Sequence, residues 1–166
     1  MDLTHLHLLL NHFPIIGTLI GTGLMAYALF KKEANLQRAV LVLWVLMTLI
    51  TPVVMSTGEE AEETVENIAG VSENAMEEHE EAAEIALWLM IGLGVLSLAA
   101  IVLHKMNSNI HKLTLVAFVF SLLVFASMAR TGYLGGLIRH TELNAAGAAG
   151  GGNEAAAEEG EEEEEH

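Results

Sequence analysis

From Ile85 to Leu103 the chain reads IALWLMIGLGVLSLAAIVL, without one charged residue. That is close to the about 20 residues a helix needs to cross the hydrocarbon core of a bilayer, at ~1.5 Å per residue. Three further runs have the same character: Phe13 to Phe30, Ala39 to Met55, and Leu113 to Ala129, the last continuing through Arg130 to Ile138. A helix buried in a soluble domain keeps a polar face, and these keep almost none. Backbone groups cannot stay unsatisfied in lipid, so helix is the spanning form open to such runs. The expected fold is all-α, a transmembrane up-down four-helix bundle with spans at 13–30, 39–55, 85–103 and 113–138. The first run lacks a basic leader and ends in Lys31 and Lys32, so it reads as a spanning helix and not as a signal peptide.

The rest of the composition agrees. The chain has 166 residues, of which 52% are hydrophobic and 17% charged, with a formal charge of −15. Its acidic residues fall in two blocks separated by uncharged runs. With seven Lys plus Arg and no basic stripe, the counterion-release attraction to nucleic acid is missing. Cysteine is absent, which excludes disulfides, iron–sulfur clusters and thiolate nucleophiles and leaves His, Met, Tyr and carboxylates as metal or haem ligands.

Lys31, Lys32 and Arg38 lie between spans one and two, and Lys105 and Lys112 between spans three and four. The positive-inside rule makes both loops cytoplasmic. Of 22 acidic residues only Glu33 shares those loops. Both tallies place the N- and C-termini outside, together with an acidic loop over 56–84. A surface helix marked by Val65 and Ile68 is expected in that loop, with Ser72 capping a third helix that starts above the bilayer. The chain divides into a four-helix transmembrane domain, 1–143, and an acidic tail, 144–166, too poor in apolar residues to fold.

On this topology polar residues gather at the outer rim: His12 at the start of helix one, Glu59 after helix two, His79 before helix three and His140 at the end of helix four. His5 and His7 are on that side too, whereas His104 and His111 flank the cytoplasmic loop. Helices one and three are diagonal in an up-down bundle, so His12 and His79 can face each other with His140 adjacent. Two opposed imidazoles are what axial ligation of a b-type haem requires, and imidazole equally suits a zinc, copper or iron ion, here with Glu59, Glu62 and Glu80. Histidines at a membrane interface also occur without any ligand. Arg130 lies well inside helix four, where an unpaired charge costs several kcal/mol; a carboxylate of the loop, a haem propionate, a lipid phosphate or outward snorkelling can compensate it. Arg139 is shallow. Tyr133 shares a helical face with His140 and can bond whatever His140 holds. Gly17, Gly21, Gly92 and Gly94 read as helix-packing notches, and the eight Met residues as packing.

Several strings recur in a familiar order: Asn11-His12-Phe13-Pro14-Ile15, Thr57-Gly58-Glu59, His79-Glu80-Glu81-Ala82-Ala83, Ala129-Arg130-Thr131-Gly132 and Gly135-Gly136-Leu137-Ile138-Arg139-His140. From Leu6 to about Leu143 the chain resembles a family of small four-helix bacterial inner-membrane proteins of unknown function. Its layout is similar to cytochrome b561-type haem bundles, and some members are joined to redox domains. The resemblance implies a respiratory or electron-transfer setting in a bacterial inner membrane but assigns no ligands, and the Glu-rich tail departs from it.

The leading expectation is a non-catalytic redox module. It would hold a b-type haem near the outer face on two of His12, His79 and His140, with Arg130 or Arg139 balancing the propionates. Electrons would pass between quinol and an outer acceptor such as a basic c-type cytochrome, drawn by the acidic surface. The alternatives are a membrane protein binding a metal ion on the His/Glu rim and a structural subunit of a larger respiratory complex; an oligomer is compatible with each. No nucleophile–base set or phosphate loop marks an enzyme. The orientation is checked in a chain that has no cysteine of its own. Ala69→Cys and Ala149→Cys should react with a membrane-impermeant maleimide on intact cells, and Asn35→Cys and Ser108→Cys should react only after permeabilisation.

Overall fold

The computed structural model describes residues 3–65, 73–104 and 110–139. All of its regular structure is helical: α1 (Leu3–Leu10), α2 (His12–Lys31), α3 (Ala34–Val65), α4 (Glu73–His104) and α5 (Ile110–Arg139). Helix α2 packs on α3 and α5, and α4 packs on α3 and α5, so the four long helices close a ring with α2 diagonal to α4 and α3 diagonal to α5. The short α1 lies on α3 and α2 at one end, called here the histidine end. The opposite end, where α2 turns into α3, is the lysine end.

Each long helix contains a stretch long and apolar enough to cross a membrane. Only 28–33% of each such stretch is buried in the bundle, and the outward side is apolar too: Phe30 is 81% exposed, Leu49 67% and Trp88 64%. A surface of this kind is stable against lipid, not water. The interior, by contrast, contains small polar side chains, with Thr18, Thr22, Ser97, Thr114 and Ser121 all buried.

From Thr114 to Met128 the buried positions on α5 fall at Thr114, Ala117, Ser121, Val124 and Met128, alternating steps of three and four. That 3.5-residue repeat gives knobs-into-holes packing between neighbouring helices. Lipid supplies no hydrophobic drive between helices, so close approach and hydrogen bonds hold them together. The expected notches are filled accordingly: Met47 packs against Gly17, the Trp44 ring against Gly21, Phe120 against Gly92 and Thr48 against Gly94. Thr22 donates to Ser121 Oγ at 2.9 Å across α2 and α5, and Thr48 donates to the Met90 carbonyl at 3.0 Å across α3 and α4.

The two proline positions are accommodated differently. Pro14 sits in the first turn of α2, where its missing N–H costs nothing; Pro52 lies within α3 and removes one intrahelical bond. At the lysine end, Lys32 adopts the left-handed conformation (φ 58°) and the Glu33 N–H bonds the Ala28 carbonyl at 2.9 Å. This is a Schellman-type stop without its usual glycine. Gln37 of α3 also donates to the Ala28 carbonyl, at 3.1 Å.

Two features differ from the sequence expectation. Helix α3 runs on unbroken to Val65, so Ser56 to Val65 is helix where a loop was expected; Ala61 is buried on the bundle side and supports the extension. Leu3–Leu10 form α1, a short Leu-rich helix that the expected spans did not include. Ile68, Gly70 and Ser72, and the acidic tail, lie outside the described residues.

A Cβ on Gly94 would collide with the Thr48 side chain, which is itself hydrogen-bonded, whereas one on Gly23 would meet nothing within 4 Å. Gly94→Ala should therefore lower stability by about 1–3 kcal/mol, as overpacked sites do, and Gly23→Ala should not. Thermal denaturation of both variants in detergent checks the contrast.

Candidate functional site

Asn11 separates α1 from α2, and its N–H bonds the His7 carbonyl at 2.9 Å. The turn seats α1 across the end of α3 and points His7 at it. His7 Nδ1 lies 3.0 Å from the Val54 carbonyl oxygen and 3.4 Å from Thr57 Oγ1. A carbonyl can only accept, so Nδ1 carries the proton; Thr57 spends its own hydroxyl proton on the same carbonyl, at 2.9 Å. The ring lies over Gly58, where an added Cβ would come within 3.0 Å of Cε1.

His79 on α4 repeats this arrangement against α5. Its Nδ1 donates to the Thr131 carbonyl at 3.0 Å, and its ring lies over Gly135, where a Cβ would reach 2.9 Å from Cε1. In both cases the imidazole bonds the carbonyl of one residue and covers the glycine four positions on, Val54 with Gly58 and Thr131 with Gly135. The spacing has a simple cause: residues four apart lie one above the other on a helix, so a glycine there opens the slot that admits the ring. Fixing the proton on Nδ1 leaves the Nε2 lone pair as the free end of each neutral ring.

His7 and His79 line a common cavity of about 100 Å³. Its floor and walls are mostly apolar, from Pro14, Ile15, Ala86, Leu87 and Met128, and its rim carries Glu59 and Glu80. Asn11 lines it too, and its buried Oδ1 has no hydrogen-bond partner. Among the described residues, no Lys or Arg contributes to the lining. The lining thus includes several lone-pair donors, the His7 and His79 imidazoles, the orphaned Asn11 amide oxygen and the Glu59 and Glu80 carboxylates, while the Thr51 and Thr131 hydroxyls donate to the Met47 and Ser127 carbonyls of their own helices. Among the described residues no three His, Asp or Glu side chains converge into a metal-binding cluster by themselves. The donor set needs the amide oxygen or bound water to complete a coordination shell.

The residues singled out in the sequence separate into three groups. His79, Glu59 and Glu80 line the cavity. His12, Arg130 and Tyr133 are exposed and do not line it; His12 Nδ1 donates to the Leu8 carbonyl of its own turn at 2.9 Å, and Tyr133 is 67% exposed. His140 and the side chains of Glu62 and Arg139 lie outside the described residues. The imidazole that joins His79 is thus His7, five residues before His12. The available clue was the pairing of each histidine with a glycine notch on another helix, which only the packing reveals. Asn11 gave no signal in the sequence beyond its place in a motif.

No protein-family model, no curated protein and no solved structure matches this chain.

Exposure separates His12 from the half-buried His79. Diethyl pyrocarbonate should therefore modify His12 faster than His79 in the folded protein, and Gly135→Ala, which forces the His79 ring from its slot, should narrow that difference. Peptide mass spectrometry over a time course measures both rates.

Proposed function

We propose that this is a membrane protein that binds a transition-metal ion in the cavity at its histidine end, with His7 and His79 as the primary ligands. One observation carries the reading. Both rings donate Nδ1–H to a backbone carbonyl, a bond that leaves Nε2 uncommitted, and both line one cavity together with Asn11, Glu59 and Glu80. Ligating histidines are held in this way, because a bond from the far ring nitrogen fixes the tautomer and orients the ring. Imidazole suits zinc, copper or iron. The unpartnered Asn11 Oδ1 supplies a third donor, and Glu59 and Glu80 offer negative charge at the mouth to draw a cation in. The positive-inside distribution would put this mouth, and the Glu-rich segments around it, on the outer face of a bacterial inner membrane, where the protein would capture metal from outside the cell.

A second reading is the b-type haem redox module, which was expected on two of His12, His79 and His140 and here would take His7 with His79. The volume favours an ion. Pockets for organic ligands occupy about 300–1,000 Å³, several times the cavity present here. Haem, when bound by two imidazoles, supplies reversible one-electron chemistry. Arg130 and Tyr133 stand outside the cavity and take no part in either reading.

Detergent-purified full-length protein should bind close to one equivalent of Zn(II) by isothermal titration, with a featureless visible spectrum. His7→Ala and His79→Ala should each weaken binding by more than roughly 100-fold, beyond the 10–100-fold expected for outer-shell changes, and His12→Ala should leave it unchanged. A sharp α band in the reduced-minus-oxidised spectrum would favour the haem reading. Loss of binding in His12→Ala but not in His7→Ala would overturn the assignment.

A further inference from the structure

Directly beneath the cavity, three buried methionines from three helices converge on one turn of α2. Thr18 Oγ1, itself fully buried, lies 3.9 Å from Met90 Sδ and 3.8 Å from Met128 Sδ, while the Met47 thioether packs against the adjoining Gly17. The sequence positions 47, 90 and 128 show no clustering, and the closed helix ring alone brings them together. Thioether is a weak acceptor, so one hydroxyl cannot donate fully to two sulfurs at once. At least one sulfur is left facing its neighbours with its lone pairs unused. Met128 also lines the cavity, so the methionine cluster adjoins the space between His7 and His79.

We infer that Met90 and Met128, with Met47 beside them, form a second and softer metal site that takes Cu(I) from the histidine cavity above. The inference rests on the proposed metal-binding function and names the ion. Thioether ligands select Cu(I) over zinc, magnesium or calcium, and imidazole accepts copper as well. A pair of thioethers in an apolar core suits a monovalent soft ion better than a divalent one, because burying a single charge costs less than burying a double one. No redox step is involved: copper enters and leaves as Cu(I). The lone-pair donors grade from carboxylate at the mouth, through imidazole and amide oxygen, to thioether in the core, which is the order that draws a soft cation inward.

The test uses full-length protein in detergent under anaerobic conditions, with Cu(I) maintained by ascorbate and competed by a coloured Cu(I) chelator. Wild-type protein should retain Cu(I), and the X-ray absorption fine structure of the bound copper should show sulfur neighbours. Met47→Leu/Met90→Leu, a volume-conserving change that cores tolerate at two positions outside the cavity lining, should lower Cu(I) affinity at least roughly ten-fold and leave Zn(II) affinity at the histidines unaltered. Copper with nitrogen and oxygen neighbours alone, or equal Cu(I) affinity in the folded double variant, would overturn the thioether site and leave the histidine site standing. Failure to bind either metal would overturn both. Because the absorption spectrum is taken on wild-type protein, a double variant that fails to fold does not rescue the inference.

Discussion

An apolar surrounding removes the usual reason for helices to come together, since a leucine facing lipid gains little by facing another leucine. What remains is the depth to which one helix can sink into the next and the bonds that form where water is excluded. In this chain glycine sets that depth. Gly17, Gly21, Gly92 and Gly94 each receive a large or hydrogen-bonding side chain from a neighbour, Thr48 bonds across the Gly94 contact, and Thr22 and Ser121 bond across α2 and α5. The candidate site uses the same device, because Gly58 and Gly135 are notches that receive imidazoles in place of Met or Trp. Site and scaffold are thus built by one rule applied at different levels of the bundle.

That rule explains which parts of the molecule could be read beforehand. The four apolar helices follow from charge-free length, and the packing role of Gly17, Gly21, Gly92 and Gly94 follows from small residues within spans; both are present. His79, Glu59 and Glu80 were recognisable as polar groups delivered to one end. His7 was harder to single out, because its partner atoms are the backbone of Val54 and the empty side of Gly58, neither of which carries a chemical label in sequence. The extension of α3 to Val65 was hidden for a related reason. Glutamates looked like the end of a span, yet a helix can continue beyond the apolar stretch, and glutamate and alanine are good helix formers. The methionines were legible only as packing, since proximity across three helices has no one-dimensional signature.

The two ends of the bundle differ in what holds them. At the lysine end the chain turns in two residues, and its orphan carbonyls are satisfied by Lys32, Glu33 and Gln37. At the histidine end the contacts are long-range: α1 reaches α3 through His7, and α4 reaches α5 through His79. An occupant bridging the two imidazoles would connect those pairs. Such an occupant would couple binding to fold stability at that end, because a ligand that binds the folded form adds its binding free energy to stability.

The tight turn at Lys32 has a consequence for biogenesis. Helices α2 and α3 meet through contacts close in sequence, with a backbone-capped stop between them, so the pair can close as a hairpin as soon as α3 emerges. The later helices then meet a finished groove, already lined by Thr18, Thr22 and Trp44, and need only find their register along it. A left-handed lysine in that turn makes the reversal slightly uphill on its own account. Hairpin closure is thereby tied to the docking of Gln37 and Leu41 behind it, and the order of assembly is written into the first half of the chain.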